Sequence, residues 1–206
     1  MASMAALLTA CNTRKLDNSA GKNDTTANTP IIRAQKIAEK TVTKKAPIIN
    51  IIDTIATKRL VLCIKDSANS AERVTTKLGD IYGVKLAAVI KKYGLKVTGA
   101  PMAWYKTQQA PYFFEAGLPV DKKPAKIPKG IIIKQIGGTD SVVVAHFYGP
   151  YDLATQGYLV LQDWIKDRKK KATIPPYEIY VDDPMTKEGQ LKDPYKVQTD
   201  IVFTWQ

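Results

Sequence analysis

The sequence predicts an α+β fold in which one motif, strand–helix–strand–strand, is written twice. Three observations predict it. β-rich runs flank two amphipathic helical stretches in the same order in each half. Strands and helices are segregated along the chain, which favours a mostly antiparallel sheet covered by helices on one side. At 206 residues, 45% hydrophobic and 24% charged, the chain can bury a core of that size.

In the first half, residues 47–57 form an apolar lead-in and residues 59–64 read as a strand. Residues 66–70 offer helix caps. Val74, Leu78, Ile81, Leu86, Val89 and Ile90 then keep one helical face apolar until Gly94 stops the helix. Residues 100–106 and 112–120 read as two further strands. A Pro-rich connector, 124–130, follows, and residues 131–136 read as a strand that closes the first half or opens the second. Gly137-Gly138 reads as a hairpin turn and residues 141–148 as a buried strand. A helix over about 153–170 carries Leu153, Val160, Leu161, Trp164 and Ile165 on one face, and Pro175-Pro176 forbids its continuation. Residues 177–181 and 197–205 supply the last strands, joined by a polar loop. The halves fall at about 58–121 and 130–206 within a folded region 47–206.

Composition excludes several functions. Cys11 and Cys63 are too few for a disulfide scaffold or a four-cysteine zinc site. Cys63, inside Leu-Val-Leu-Cys-Ile, reads as a small buried hydrophobe. His146, a lone histidine in an apolar strand, excludes multi-imidazole metal centres and gives poor support for haem. No glycine-rich phosphate cradle or nucleophile elbow is present, so no cofactor and no metal is expected. The net charge of +12 divides into +4 over residues 1–57 and +8 over 58–206. Its densest cluster, Arg168-Lys169-Lys170-Lys171, falls at the expected helix end, where cations complement the helix dipole. No DNA-reading spacing is visible, so nucleic acid is not an expected partner.

Residues 1–11 are short and apolar and end in Leu8-Thr9-Ala10-Cys11, which resembles the lipobox of bacterial lipoproteins. No basic residue precedes the apolar stretch, in departure from that pattern. The resemblance implies lipidation of Cys11 and tethering to a bacterial cell envelope membrane; without it the expected location is cytoplasmic. Residues 12–46, rich in polar residues, read as a disordered or loosely helical linker.

Two stretches of the second half carry a further resemblance: His146-Phe-Tyr-Gly149-Pro150-Tyr151-Asp-Leu153 before the helix, and Pro176-Tyr177-Glu178-Ile179-Tyr180-Val-Asp-Asp183-Pro184 after it. Together with Gly99-Ala-Pro101, Trp104-Tyr105 and Phe114-Glu115-Ala-Gly117-Leu-Pro-Val120, they resemble the GyrI-like domain. This is the AraC-type effector-binding, small-molecule-binding domain with a duplicated strand–helix–strand–strand (SHS2) module. The likeness covers about residues 58–206. It implies a pseudo-two-fold axis with a ligand groove between the halves, where aromatic rings and one carboxylate, here Glu178, hold lipophilic and often cationic molecules. Some members hydrolyse cyclopropanoid toxins with a glutamate and a tyrosine, which would be Glu178 with Tyr148 or Tyr180. Nothing ahead of Pro47 reads as a helix-turn-helix, so a transcription-factor role is not carried over.

Strand alternation puts Glu178 and Tyr180 on one face and Tyr177, Ile179 and Val181 on the other. Read from the strand alone, Glu178 is an edge carboxylate in water or a partner of Lys196. The resemblance makes it a groove residue. Trp104, Tyr112, Tyr148, Tyr180 and Phe203 are the expected groove aromatics, with Trp205 closing a rim, while Tyr158 and Trp164 are expected to pack the helix. Glu115 is either a second groove carboxylate or a lysine-paired strand residue. The expected function is binding of a small lipophilic, cationic organic molecule. The alternatives are a hydrolase in the same groove, and a module that binds a protein partner, for which the +8 of the folded part would suit an acidic surface.

Overall fold

The computed structural model describes residues 45–206. Cys11 and all but the last two residues of the expected linker lie outside the described residues. Eight strands form one sheet: β1 (Ile48–Ile55), β2 (Arg59–Ala68), β3 (Met102–Tyr105), β4 (Tyr112–Val120), β5 (Ile132–Ile136), β6 (Ser141–Tyr148), β7 (Tyr177–Tyr180) and β8 (Gln198–Trp205). Their order is β1-β6-β8-β7-β3-β4-β2-β5, and every pairing is antiparallel. The expected α+β class is the observed one.

The first helix begins at Ser70, whose hydroxyl accepts from the Arg73 amide at 3.3 Å. It runs as α1 (Ala71–Asp80), a π turn (Ile81–Leu86) and α2 (Ala87–Tyr93), and ends on Gly94 at φ 57°. The π turn has a packing cause. Ile81 and Leu86 are both fully buried, yet residues five apart in an α-helix point roughly 140° apart. The wider turn brings both onto the sheet. The second helix, α3 (Ala154–Asp167), follows a 3-10 turn at Tyr151–Leu153. It stops short of the expected residue 170 because the chain leaves the helix at Arg168 and Lys169 takes a left-handed φ of 51°.

Both helices cover the same sheet face. Val74, Ile81 and Leu86 pack on Leu62, Ala103, Tyr105, Phe114 and Ala116. Ala154, Tyr158 and Leu161 pack on Val143, Ala145, Phe147, Ile201 and Phe203. The opposite face buries Val61, Cys63, Met102, Trp104, Val142, Val144, Tyr177 and Val202 without a helix.

The lead-in at 47–57 was not read as a strand, and it becomes β1 at the sheet edge beside β6. A reciprocal exchange results. β1 directly precedes β2 but pairs with β6 of the second half, while β5 directly precedes β6 but pairs with β2 of the first. Links of a few residues can join strands at opposite ends of the order only if the sheet curls until its edges approach. The two links do meet: Ala56 donates to the Asp140 carbonyl at 2.9 Å, and Gly138 donates to the Ala56 carbonyl at 2.8 Å. Gly137, at φ 70°, passes so close that a Cβ would stand 2.3 Å from the Thr57 oxygen. No other residue fits there.

Candidate functional site

The registers locate the pseudo-two-fold axis. β3 and β7 pair with Met102 opposite Ile179, Ala103 opposite Glu178 and Trp104 opposite Tyr177. Trp104 and Ile179 are mates, because each faces the acid of the next strand, Glu115 and Asp200 respectively. Tyr105 and Tyr180 are therefore mates too, and their hydroxyls meet at 2.9 Å. The axis passes between Ala103 and Glu178, which occupy equivalent places.

Glu178 is 1% exposed. Its Oε2 accepts from the Tyr151 hydroxyl at 2.5 Å and its Oε1 from the Tyr158 hydroxyl at 2.8 Å, and Tyr180 also hydrogen-bonds it. Tyr105 stands 3.4 Å from the Tyr151 hydroxyl. Tyr82, from the π turn, donates to the Met102 carbonyl at 2.9 Å and meets the Tyr180 ring edge-on at 6.4 Å. The Gln108 side chain reaches Tyr158 from the β3–β4 hairpin. Tyr151 is 48% exposed overall, but its exposure is on the ring, since its hydroxyl end is enclosed against Glu178. Side chains from α3, from the carboxylate's own strand and from the turn before α3 thus converge on Glu178, with Tyr105 of β3 and Tyr82 of the first helix beside them.

Burial pushes the Glu178 carboxyl above its ordinary range, and the tyrosine hydroxyls only partly oppose this. Burial, reinforced by the Glu178 charge, likewise raises Tyr105, Tyr151, Tyr158 and Tyr180. The hydroxyls therefore remain protonated donors, and the titrating group is Glu178. Such a centre can hold a cation by charge and ring faces, or give and take a proton. The Glu178 carboxylate is shielded from solvent by these side chains. Surface hollows of about 440 and 460 Å³ lie elsewhere, the first along the hairpin from Thr107 to Phe113 and the second beside Lys65, Lys85 and Lys129.

The structure brings together some of the expected groove residues and separates others. Glu178 and Tyr180 share the site, and Tyr112 packs on the same face beside Tyr105 and Phe114. Phe203 lies one ring away, 6.0 Å from Tyr158. Trp104 is on the opposite face, packed 5.5 Å from Tyr177, because strand alternation gives the site to Tyr105 instead. Tyr148 is also on the helix-free face, where its hydroxyl donates to Gln198 at 2.6 Å, so it cannot assist Glu178. Trp205 sits with Trp164 at 5.9 Å under the far end of α3, away from the carboxylate.

Glu115 lies on the helix-free face, paired with Lys134 at 2.7 Å and Lys65 at 3.5 Å, and Lys196 makes no ion pair with Glu178. His146 is half-buried rather than core, 2.6 Å from Asp200. Sequence reasoning missed Tyr105, Tyr151 and Tyr158 as site residues. A signal existed: a buried tyrosine hydroxyl needs a partner, and several tyrosines at core-facing positions imply a shared acceptor.

No family model and no curated protein matches the chain. Solved structures do. The C-terminal domain of EcmrR is 19% identical with a TM-score of 0.62, over 78% of this chain and 98% of that domain. In the EcmrR–DNA complex the same likeness, at 19% identity and a TM-score of 0.61, spans 57% of the EcmrR chain. A hydrolase from Listeria innocua is 11% identical with a TM-score of 0.52, over 79% of this chain and 93% of that one. At these identities the likeness is one of fold, and the fold is the GyrI-like arrangement that the sequence resembles.

Proposed function

We propose that the protein binds a small lipophilic organic cation at Glu178, enclosed by Tyr105, Tyr151, Tyr158 and Tyr180. The observation that carries this reading is a wholly buried carboxylate ringed by tyrosine hydroxyls at the axis between two helices. A buried charge without a counter-ion is costly, and an entering cation would supply the missing charge while the rings cover its apolar body. Entry requires Tyr151 to swing outward, and it is the half-exposed member of the ring. Binding should weaken as the pH falls through the raised pKa of Glu178, because protonation removes the attracting charge.

The test is a calorimetric titration with a tetraphenyl-type phosphonium cation. Wild type should bind at least about tenfold more tightly than Glu178→Gln, the effect of losing roughly one charge contact. Equal affinity in the two proteins sinks the charge role.

One observation favours a second reading. A carboxyl raised by burial beside tyrosine donors suits a general acid, and a fold neighbour is a hydrolase. In that case Glu178 would protonate the leaving atom, with Tyr151 or Tyr158 in support. Turnover of strained-ring or ester substrates, abolished in Glu178→Gln, would select this reading over simple binding.

A further inference from the structure

We propose that the basic turn after α3, Arg168-Lys169-Lys170-Lys171, is a docking surface for an anionic phospholipid membrane. Helix-dipole complementation needs one cation in the last turn, and Lys166 already supplies it. Among the described residues, none of the four that follow forms an ion pair with a carboxylate. Asp163 and Asp167 on α3 leave the turn net positive.

The turn fixes its backbone path and holds two of its cations. First, Lys169 occupies the left-handed position of the helix stop, at φ 51°, with its amide on the Lys166 carbonyl at 3.0 Å and the Lys170 amide on the Ile165 carbonyl at 3.0 Å. Glycine suits that position best, and a lysine there is strained. Strain at a defined position points to a use for the side chain. Second, the Arg168 guanidinium lies 4.3 Å from the Trp164 ring and the Lys170 ammonium 4.0 Å from the Trp205 ring, and the two indoles meet at a tilt of 49° with their centroids 5.9 Å apart. Arg168 and Lys170 are pre-ordered, so less entropy is lost when they meet a fixed array of phosphates.

The same packing argues against nucleic acid. Base binding uses open aromatic faces, and these rings are engaged by each other and by the cations. Ile174, 39% exposed just beyond, adds an apolar side chain beside these lysines, a pairing that suits a membrane interface. The surface is independent of Glu178 and of any lipid on Cys11.

The experiment uses the full chain with Cys11→Ser, floated with phosphatidylcholine vesicles with and without phosphatidylglycerol. Binding is expected only with phosphatidylglycerol and should be released by high salt. Each cation removed should weaken it on the order of fivefold, so Lys169→Gly/Lys170→Ser/Lys171→Ser should lose roughly a hundredfold. The single change Lys169→Gly should weaken binding while raising the melting temperature, a combination that misfolding does not produce. Lys122→Ser/Lys123→Ser/Lys126→Ser, with the same loss of charge in the connector, should bind as wild type does. Vesicle binding untouched by the turn variant overturns the proposal, as does turn-dependent binding of duplex DNA in preference to vesicles.

Discussion

The two halves of this domain share one plan, yet only one of them places an acid at the axis. At the axis the second half presents Glu178, and the first presents Ala103 in the equivalent place. The helix tyrosines diverge in the same way. Tyr158 gives its hydroxyl to Glu178, whereas Tyr82 gives its own to a backbone carbonyl. On the helix-free face the first half pairs Lys65 with Glu115 where the second pairs His146 with Asp200. A duplicated scaffold thus supplies symmetric walls, such as Tyr105 against Tyr180. The proposed function rests on breaking the symmetry at one position: a small residue opposite leaves room for a single acid and for the groups it attracts.

The strongest way to break this comparison is to restore the symmetry. Ala103→Glu would set a second carboxylate against Glu178 in a site with no cation. Unfolding by urea should show a loss of about 3–5 kcal/mol, the cost of an uncompensated buried charge, partly recovered in Ala103→Glu/Glu178→Ala. An unchanged midpoint would mean that the site is more open than its burial indicates.

A second comparison sets the two buried acids against each other by pH. Burial raises Glu178 above its unfolded value, so its contribution favours the fold at low pH and erodes as pH rises through the raised pKa. Glu178→Gln should therefore gain stability relative to wild type as the pH is raised across that window. For Glu115, burial pushes upward, but the hydrogen bond and charge of Lys134, with Lys65, win and hold the carboxyl below its ordinary range. Its contribution is present above the unfolded pKa and is lost as pH falls through the folded one. Glu115→Gln should cost about 1–2 kcal/mol near neutrality and little in acid. Lys65, 60% exposed, adds little to that figure. Parallel pH profiles for the two variants would refute the assigned environments.

The smallest effect separates the helix tyrosines. Tyr82→Phe should cost about 1 kcal/mol for one hydrogen bond and leave cation affinity unchanged. Tyr158→Phe should raise the Glu178 pKa further and shift the pH dependence of binding upward. Equal effects on binding would place Tyr82 in the ligand shell.

Much of the fold was legible because its signals are local. Period-two and helical patterns, Gly94 and Pro175-Pro176 mark the elements, and the duplication follows from their order. β1 escaped because Ile48, Ile51, Ile52 and Ile55 show no alternation, and an edge strand leaves all four exposed. The site was half legible. Glu178 and Tyr180 share a strand, so alternation relates them. Trp104 was expected where Tyr105 stands, because a four-residue strand sets no parity until its partner is known. Tyr151 lies in a turn, where no periodicity predicts direction.

The exchange of β1 and β5 bears on how the chain matures on the ribosome. β2 lacks its outer partner until residues 132–136 have emerged, and β1 waits for residues 141–148. The half made first therefore cannot finish alone, and its isoleucine-rich edge stays unsatisfied until most of the domain has been translated. Such long-range closure favours slow, late, all-or-none assembly. It also means that a protease cut in the 121–130 connector would nick the chain without freeing either half, because each still holds a strand of the other.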